Sequence, residues 1–365
     1  MAKKVYIGVN NVARKVKKIY IGVDGVARRV KKAYIGVGGK ARLFWSGGEL
    51  AYYGTTTGLY GNSSSLTATS IGNYALFGGG TPRTTVITAY DTSLTQTTTT
   101  KMSASKNRIS ATTVGNYAIF GGGGYSDGYT ATVDAFDTSL TRTVPSSMKA
   151  YKVDYAATTI GNYALFAGGQ ASGASKTVDA YDTSLTLSTP TSLSEGRYNL
   201  AAASNGNYAL FAGGFSTDTV DAYDTSLTRT VPTALSSEAN SPDGTSIGNY
   251  ILFGGGSGRS AIDAYDKSLT RTTPATLSVA KSAGAATTVG DYALFGGGTG
   301  KVSDVNTSFS AVDSYNTSLT RTTLTPLSVA RYHLAATTIG DYALFGGGLD
   351  SNSDSYSTVD VYVVQ

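Results

Sequence analysis

One phrase returns seven times along this chain and limits what the chain can fold into. The first copy is Gly72-Asn73-Tyr74-Ala75-Leu76-Phe77-Gly78-Gly79, and close copies carry Tyr117, Tyr163, Tyr208, Tyr250, Tyr292 and Tyr342. These tyrosines lie 43, 46, 45, 42, 42 and 50 residues apart. A period of roughly 40–50 residues is the length of one four-stranded propeller blade. Helical solenoids share that period, but 45 glycines with abundant Thr, Ser and Tyr favour strands and tight turns.

A second phrase follows each copy except the last, as in Val220-Asp221-Ala222-Tyr223-Asp224-Thr225-Ser226-Leu227-Thr228; its equivalents centre on Tyr90, Phe136, Tyr181, Tyr265 and Tyr315. The Asp-Thr-Ser segment suits a turn closed by side-chain-to-backbone bonds. The run after it, Leu227-Thr228-Arg229-Thr230, is expected to be the outermost strand of its blade. An inner strand such as Leu334-Ala335-Ala336-Thr337-Thr338 comes before the glycine-ended one. The seventh unit stops at Val359-Asp360-Val361-Tyr362, one strand short, while residues 49–55 precede the first unit without a blade of their own. We expect 49–55 to complete the last blade and remove an open edge.

Charge divides the chain differently. The net charge is +5, yet residues 1–46 carry +11 and the remainder −6. The basic segment has a strict period of 14 residues, with Lys-Lys-x-Tyr-Ile-Gly-Val beginning at Lys3, Lys17 and Lys31. The pairs Asn10-Asn11, Asp24-Gly25 and Gly38-Gly39 suit two-residue hairpin turns. With those turns Val23 opposes Val26, Ile21 opposes Arg28 and Tyr20 opposes Arg29. Each hairpin then has an apolar face and a basic, tyrosine-bearing face, and Tyr6, Lys15, Tyr20, Arg29 and Tyr34 are the expected docking residues. The domains predicted are 1–46, a basic hairpin-repeat docking module, and 47–365, an all-β propeller of seven blades.

The diglycine after an apolar strand, followed by Val-Asp-Ala-Tyr-Asp, resembles the kelch repeat over about residues 49–365. That resemblance implies a seven-bladed kelch-like β-propeller preceded by a small module of three β-hairpin repeats. The outer strand departs from it: kelch repeats usually carry Trp there, and the single Trp of this chain, Trp45, lies outside. Kelch partner specificities therefore do not carry over. The Lys-Lys-x-Tyr-Ile-Gly-Val hairpins resemble N-terminal segments of phage and prophage structural proteins. This implies a virion component (a tail fibre, receptor-binding protein or surface decoration) assembled in the bacterial cytoplasm and acting as a homo-oligomer. Residues 1–46 would meet other virion proteins, and the propeller would meet a host-surface glycan or protein.

Little in the chain suggests catalysis. There is one histidine, His333, and no cysteine, so the copper chemistry of some kelch-like oxidases lacks its ligands. A Ser/His/acid triad would depend on His333, and no Gly-x-Ser-x-Gly elbow accompanies it. Gly296-Gly297-Gly298-Thr299-Gly300-Lys301-Val302 misses the phosphate-loop pattern, since the first glycine is one place late and Val302 replaces Ser/Thr. We expect no enzyme activity, no cofactor and no metal. Asp134, Asp179, Asp221, Asp263, Asp313 and Asp360 share one repeated position, and we read them as acceptors of backbone bonds. Asn62, Asn306 and Asn316 match the N-glycosylation pattern by accident in that reading, because Met1–Tyr6 has no secretory signature. No apolar run approaches a membrane span. Nucleic-acid binding by residues 1–46 ranks below docking, because the bases alternate with a regular apolar pattern.

The seven copies can be compared with one another. Eleven to nine residues before each anchor tyrosine stand Ser63-Ser64-Ser65, Lys106-Asn107-Arg108, Lys152-Val153-Asp154, Arg197-Tyr198-Asn199, Ala239-Asn240-Ser241, Lys281-Ser282-Ala283 and Arg331-Tyr332-His333. They vary while the strand after them barely changes. We expect them around a central funnel, where Lys106, Asn107, Arg108, Lys152, Asp154, Arg197, Tyr198, Asn199, Asn240, Lys281, Arg331, Tyr332 and His333 bind the ligand. A cellular protein–protein scaffold of kelch type is the alternative.

Overall fold

Each repeat unit folds as an antiparallel sheet of four strands, because its alternating Thr/Ala inner run and its apolar second run are joined by a turn too short for any crossover. In the computed structural model, residues 49–125 and 128–364 are described, with the Tyr125 side chain excepted; earlier residues are described as strand backbone only. No helix occurs among the described residues. The fourth unit is representative: Ala201–Ser204, Tyr208–Ala212, Val220–Asp224 and Arg229–Thr230 pair in chain order. Leu210 lies between Ala203 and Ala222 in register.

Seven such sheets form the propeller. The inner strand of each blade packs beside that of the next, and Ala335–Ile339 packs beside Thr67–Ile71 to close the ring. Both faces of a blade are covered by neighbours, so second and third strands are buried almost throughout instead of alternating. The apolar clusters therefore belong to pairs of blades. One joins Ile160, Leu165 and Val178 to Leu200, Phe211 and Tyr223; another joins Leu344 and Val361 of the last blade to Phe77 and Tyr90 of the first.

Within each blade the second-strand Phe meets the third-strand aromatic edge to face, as in Phe211–Tyr223 at 5.9 Å between centroids. The buried Tyr hydroxyl then donates to a carbonyl of the preceding connection, Tyr223 to Thr191 at 2.8 Å. The Asp-Thr-Ser turn forms as its chemistry suggests: Asp224 Oδ1 accepts from the Ser226 and Thr228 amides at 2.8 and 2.9 Å. After the second strand, Gly213 and Gly214 have φ of +66° and +125°, and a Cβ on Gly213 would lie 2.6 Å from the Ala239 carbonyl oxygen. Only glycine permits that approach.

The last sheet takes its fourth strand from the segment before the first blade, Leu50–Thr56, which lies beside Val359–Val364. The Tyr52 hydroxyl donates to Asp360 Oδ1 at 2.7 Å, and the Tyr52 and Tyr362 rings lie 5.3 Å apart. Burial, then the Asp360 carboxylate, pushes the Tyr52 hydroxyl pKa up to about 12. Tyr52→Phe is expected to cost roughly 1–2 kcal/mol, read as a lower urea midpoint at unchanged slope; an unchanged midpoint would show that this clasp adds nothing.

Contacts divide the chain between Ala51 and Tyr52, with the last residues from Val363 grouped with the first unit. In that unit, three two-stranded hairpins precede the propeller. Val23 faces Val26, Ile21 faces Arg28 and Tyr20 faces Arg29, in the expected register, and Tyr6 faces Lys15. The third hairpin, Lys32–Val37 with Lys40–Ser46, is longer and shifts register between Ala33 and Tyr34, so Tyr34 faces Leu43. The docking side chains of Tyr6, Lys15, Tyr20, Arg29 and Tyr34 lie outside the described residues.

Candidate binding site at the funnel

The variable triplets divide into three layers, and the first is not on the surface. Lys106, Lys152, Lys281 and Arg331 are 0% exposed and Arg197 is 1% exposed. The expectation that these five cations meet a ligand is corrected here. Their stems run inward, and in all but Lys281 the head meets the repeated aspartate of the same blade's third strand. Lys106 Nζ lies 2.8 Å from Asp134, Lys152 Nζ 3.1 Å from Asp179 and Arg331 Nη2 2.7 Å from Asp360, and Arg197 pairs with Asp221. Burial lowers the pKa of Lys106, Lys152, Arg197 and Arg331, and the paired carboxylate opposes that shift.

The pairing explains why the first triplet position varies. The first blade has Ser63 in place of the cation and Thr88 in place of the acid, so the site is neutral on both sides. In the fifth blade Ala239 supplies no charge, and Arg259 from the loop after the diglycine reaches Asp263 at 3.1 Å instead. Each of these two blades thus answers the missing cation locally. Each of the six aspartates also accepts a backbone N–H from one repeated position, as Asp221 does from Ser194 at 3.0 Å and Asp360 from Ser328 at 2.9 Å. Several bind an outer-strand arginine as well, as Asp221 binds Arg229 at 2.9 Å. Their role is structural, holding strand, connection and cation together.

The second layer lies on one face, half-buried except at Ser64 and Val153, which are buried. Asn107 bridges to Gly124 and Tyr332 to Leu349, each pairing with the residue that follows a diglycine. Tyr198 stacks on the exposed Phe215, their rings 5.3 Å apart and 10° from parallel. Asn240 accepts from the Asn199 amide at 3.2 Å. The triplets and the loops after the glycines therefore share one face.

The third layer rings the funnel. Ser65, Arg108, Asp154, Asn199, Ser241, Ala283 and His333 all have positive φ, from 51° to 57°. That left-handed conformation is uncommon for non-glycine residues and costs energy in most of these. Ring bonds repay it: His333 N–H donates to Ala283, Ala283 to Ser241, Ser241 to Asn199 and Asn199 to Asp154, at 2.8–3.0 Å. Ser65 N–H continues the series onto the His333 carbonyl at 2.8 Å, and Arg108 N–H onto the Ser65 carbonyl at 3.1 Å. These residues line a cavity of about 690 Å³ with Ser110, Tyr155, Asp243 and Ser282. Arg108 Nε lies 2.7 Å from Asp154 Oδ1. Desolvation in the wall and then the Arg108 charge hold the His333 pKa below its usual value.

Further along the same inner strands the channel wall is rich in hydroxyls, interrupted by Ala202, Ala203, Gly244 and Ala286. Thr69 meets Thr113 at 2.9 Å and Thr112 meets Thr159 at 2.8 Å, around a second cavity of about 540 Å³. No group of acids and histidines among the described residues is arranged to hold a metal ion.

Asp243 escaped the triplet comparison because it lies seven residues before its anchor, where other copies read Thr67, Ser110, Ala156, Ala201, Ala285 and Ala335. The same alignment, extended by two positions, would have shown it. Only 8% of Asp243 is exposed, and burial lifts its carboxyl pKa to about 7 against the opposing charge of Lys281.

No family profile matches the chain, and no curated protein matches it. Among solved structures, one titled "Structure of YjhT" superposes with a TM-score of 0.59 at 12% identity, covering 85% of this chain and 99% of that chain. At that identity the likeness establishes the propeller fold alone.

Proposed function

We propose that the propeller is a non-catalytic binding module that seats a glycan in its funnel, and that residues 1–46 dock the chain to a phage particle as part of the virion. The observation that carries the binding reading is the ring itself. Seven nearly identical backbones present different side chains to one cavity, with Arg108 and His333 as donors, Asp154 as an acceptor, and Asn199, Ser65 and Ser241 as both. A cavity of about 690 Å³ suits a small saccharide, and the stacked Tyr198 and Phe215 on the same face offer flat apolar contact to a sugar ring. Support for the virion role comes from the Lys-Lys-x-Tyr-Ile-Gly-Val repeats. A cellular scaffold of kelch type is the second reading, favoured by the exposed loops after the glycines.

Two measurements test this. Full-length chain probed on a saccharide array is expected to bind, and Arg108→Ala, Asp154→Ala, Tyr198→Ala and Asn199→Ala together are expected to weaken binding more than tenfold with the fold intact. Equal binding by the quadruple variant removes the funnel from consideration. Mass spectrometry of density-gradient particles should find the chain with capsid or tail proteins; its confinement to soluble lysate would favour the scaffold.

A further inference from the structure

The first blade lacks a part that its sisters hold, and a cavity stands in its place. In the fourth blade the Arg197 head pairs with Asp221 and also donates to the carbonyls of Phe211, Gly213 and Thr219. Counted from the anchor tyrosine, the first blade has Ser63 for Arg197, Thr88 for Asp221, and Phe77, Gly79 and Val86 for the three carbonyl residues. All five line one cavity of about 240 Å³. Its floor is buried at Leu59, Ser63, Phe77 and Thr88, while its mouth lies among the exposed Tyr60, Pro82 and Arg83.

The backbone is open at the same place. In the six other blades the first glycine of the diglycine donates its N–H to the carbonyl two residues before the third-strand aspartate, as Gly213 does to Thr219 at 3.0 Å and Gly347 to Thr358 at 3.1 Å. Among the described residues no such bond joins Gly79 to Val86. An N–H and a carbonyl that bond each other elsewhere are thus left to other partners at the cavity wall. Thr88 Oγ1 accepts from the Tyr60 amide at 3.3 Å and keeps its own hydrogen to donate.

These groups set what can fill the slot. Cations in the sister blades enter sites that hold an aspartate, but here a buried charge would have no counterion. The occupant must therefore be neutral, must donate to the carbonyls as a lysine or arginine head does, and must accept from the Gly79 N–H and the Thr88 hydroxyl. A primary carboxamide does all three, with two N–H donors and an oxygen that accepts twice. Leu59, Leu66 and Phe77 offer apolar contact to a stem.

We propose that the first-blade cavity is a binding site for a neutral primary carboxamide on a short aliphatic stem. It shares Leu66 with the funnel cavity but does not depend on the glycan reading.

Saturation-transfer NMR titrations of the full-length chain with pentanamide, pentylammonium, butylguanidinium and pentanoate test it. Pentanamide is expected to bind the native chain at least fivefold more tightly than each charged analogue. Ser63→Arg combined with Thr88→Asp rebuilds the sister-blade pair in the slot, so pentanamide binding should be lost with circular dichroism unchanged. Thr88→Asp alone supplies the acid without the cation and is expected to reverse the preference, so that a cationic analogue binds at least fivefold better than the amide. That reversal, together with the selectivity of the native chain, maintains the test if the double variant misfolds. Pentanamide binding that survives the double variant overturns the site. Native preference for a charged analogue overturns the neutral assignment, and absence of saturable pentanamide binding overturns the proposal outright.

Discussion

Asp179→Ala is expected to lower the unfolding free energy by roughly 3–5 kcal/mol, the cost of stranding one member of a buried ion pair. Lys152 and Asp179 are both wholly buried and lie 3.1 Å apart. Without the carboxylate, Lys152 keeps its charge in a site where burial already lowers its pKa, and the Lys149 amide loses its acceptor. The protein carries its own control. The first blade has Ser63 and Thr88 at these two positions, and there Thr88 Oγ1 accepts from the Tyr60 amide at 3.3 Å while Ser63 Oγ donates to Gly79 at 3.2 Å. Lys152→Ser with Asp179→Thr copies that neutral arrangement and should recover most of the loss, because neither charge is then stranded. Denaturant midpoints of the three chains decide it. A double variant as weak as Asp179→Ala would mean that packing of the lysine stem, not charge balance, sets the energy.

Asp243→Ala should act in the opposite direction, by an amount that grows as pH rises from about 4 to 7. The folded carboxyl titrates at about 7 against an ordinary 3.8. The folded chain therefore holds this proton to higher pH than the unfolded chain does. The associated stability is complete below about pH 4 and is lost as pH rises through 7, by up to about 4 kcal/mol in total. Alanine, which stands at this position in four sister blades, removes that dependence. At pH 8 the variant is expected to be more stable than the native chain by a few kcal/mol, while at pH 4.5 the two should nearly coincide. Lys281 loses a stabilising neighbour in the variant, which reduces the gain, although Asp313 remains near it. Urea unfolding at both pH values checks this, and an equal difference at pH 4.5 and pH 8 would dismiss the ionised carboxylate as its cause.

Both predictions concern residues that look alike in the sequence and differ in space. Lys106, Lys152, Arg197, Lys281 and Arg331 stood in a variable, polar triplet just before each inner strand, a pattern that suggests an exposed loop. The partners of the four that are paired lie on another strand, 24 residues away for Arg197 and 29 for Arg331. No local period joins positions so far apart. Asp134 and its equivalents do accept backbone bonds, but from a connection 27–35 residues earlier in the chain, as Asp221 does from Ser194 and Asp313 from Ser278. The cations they also neutralise were not legible in the sequence.

From residue order alone follow the blade count, the closing strand, the Asp-Thr-Ser turns and the register of the first two hairpins. These rest on spacing between near neighbours and on the chemistry of glycine and aspartate, which act within a few residues. Tertiary structure alone decided which triplet position faces the funnel cavity. In a propeller both faces of every sheet are covered by other blades, so burial depends on what the next blade presents. The ring residues Arg108, Asp154, Asn199 and His333 point into the funnel because their backbones turn left-handed and bond around the circle, while the cation two places earlier is drawn inward by a carboxylate. Asp243 turns into the wall because the adjacent blade has a glycine where a leucine would stand.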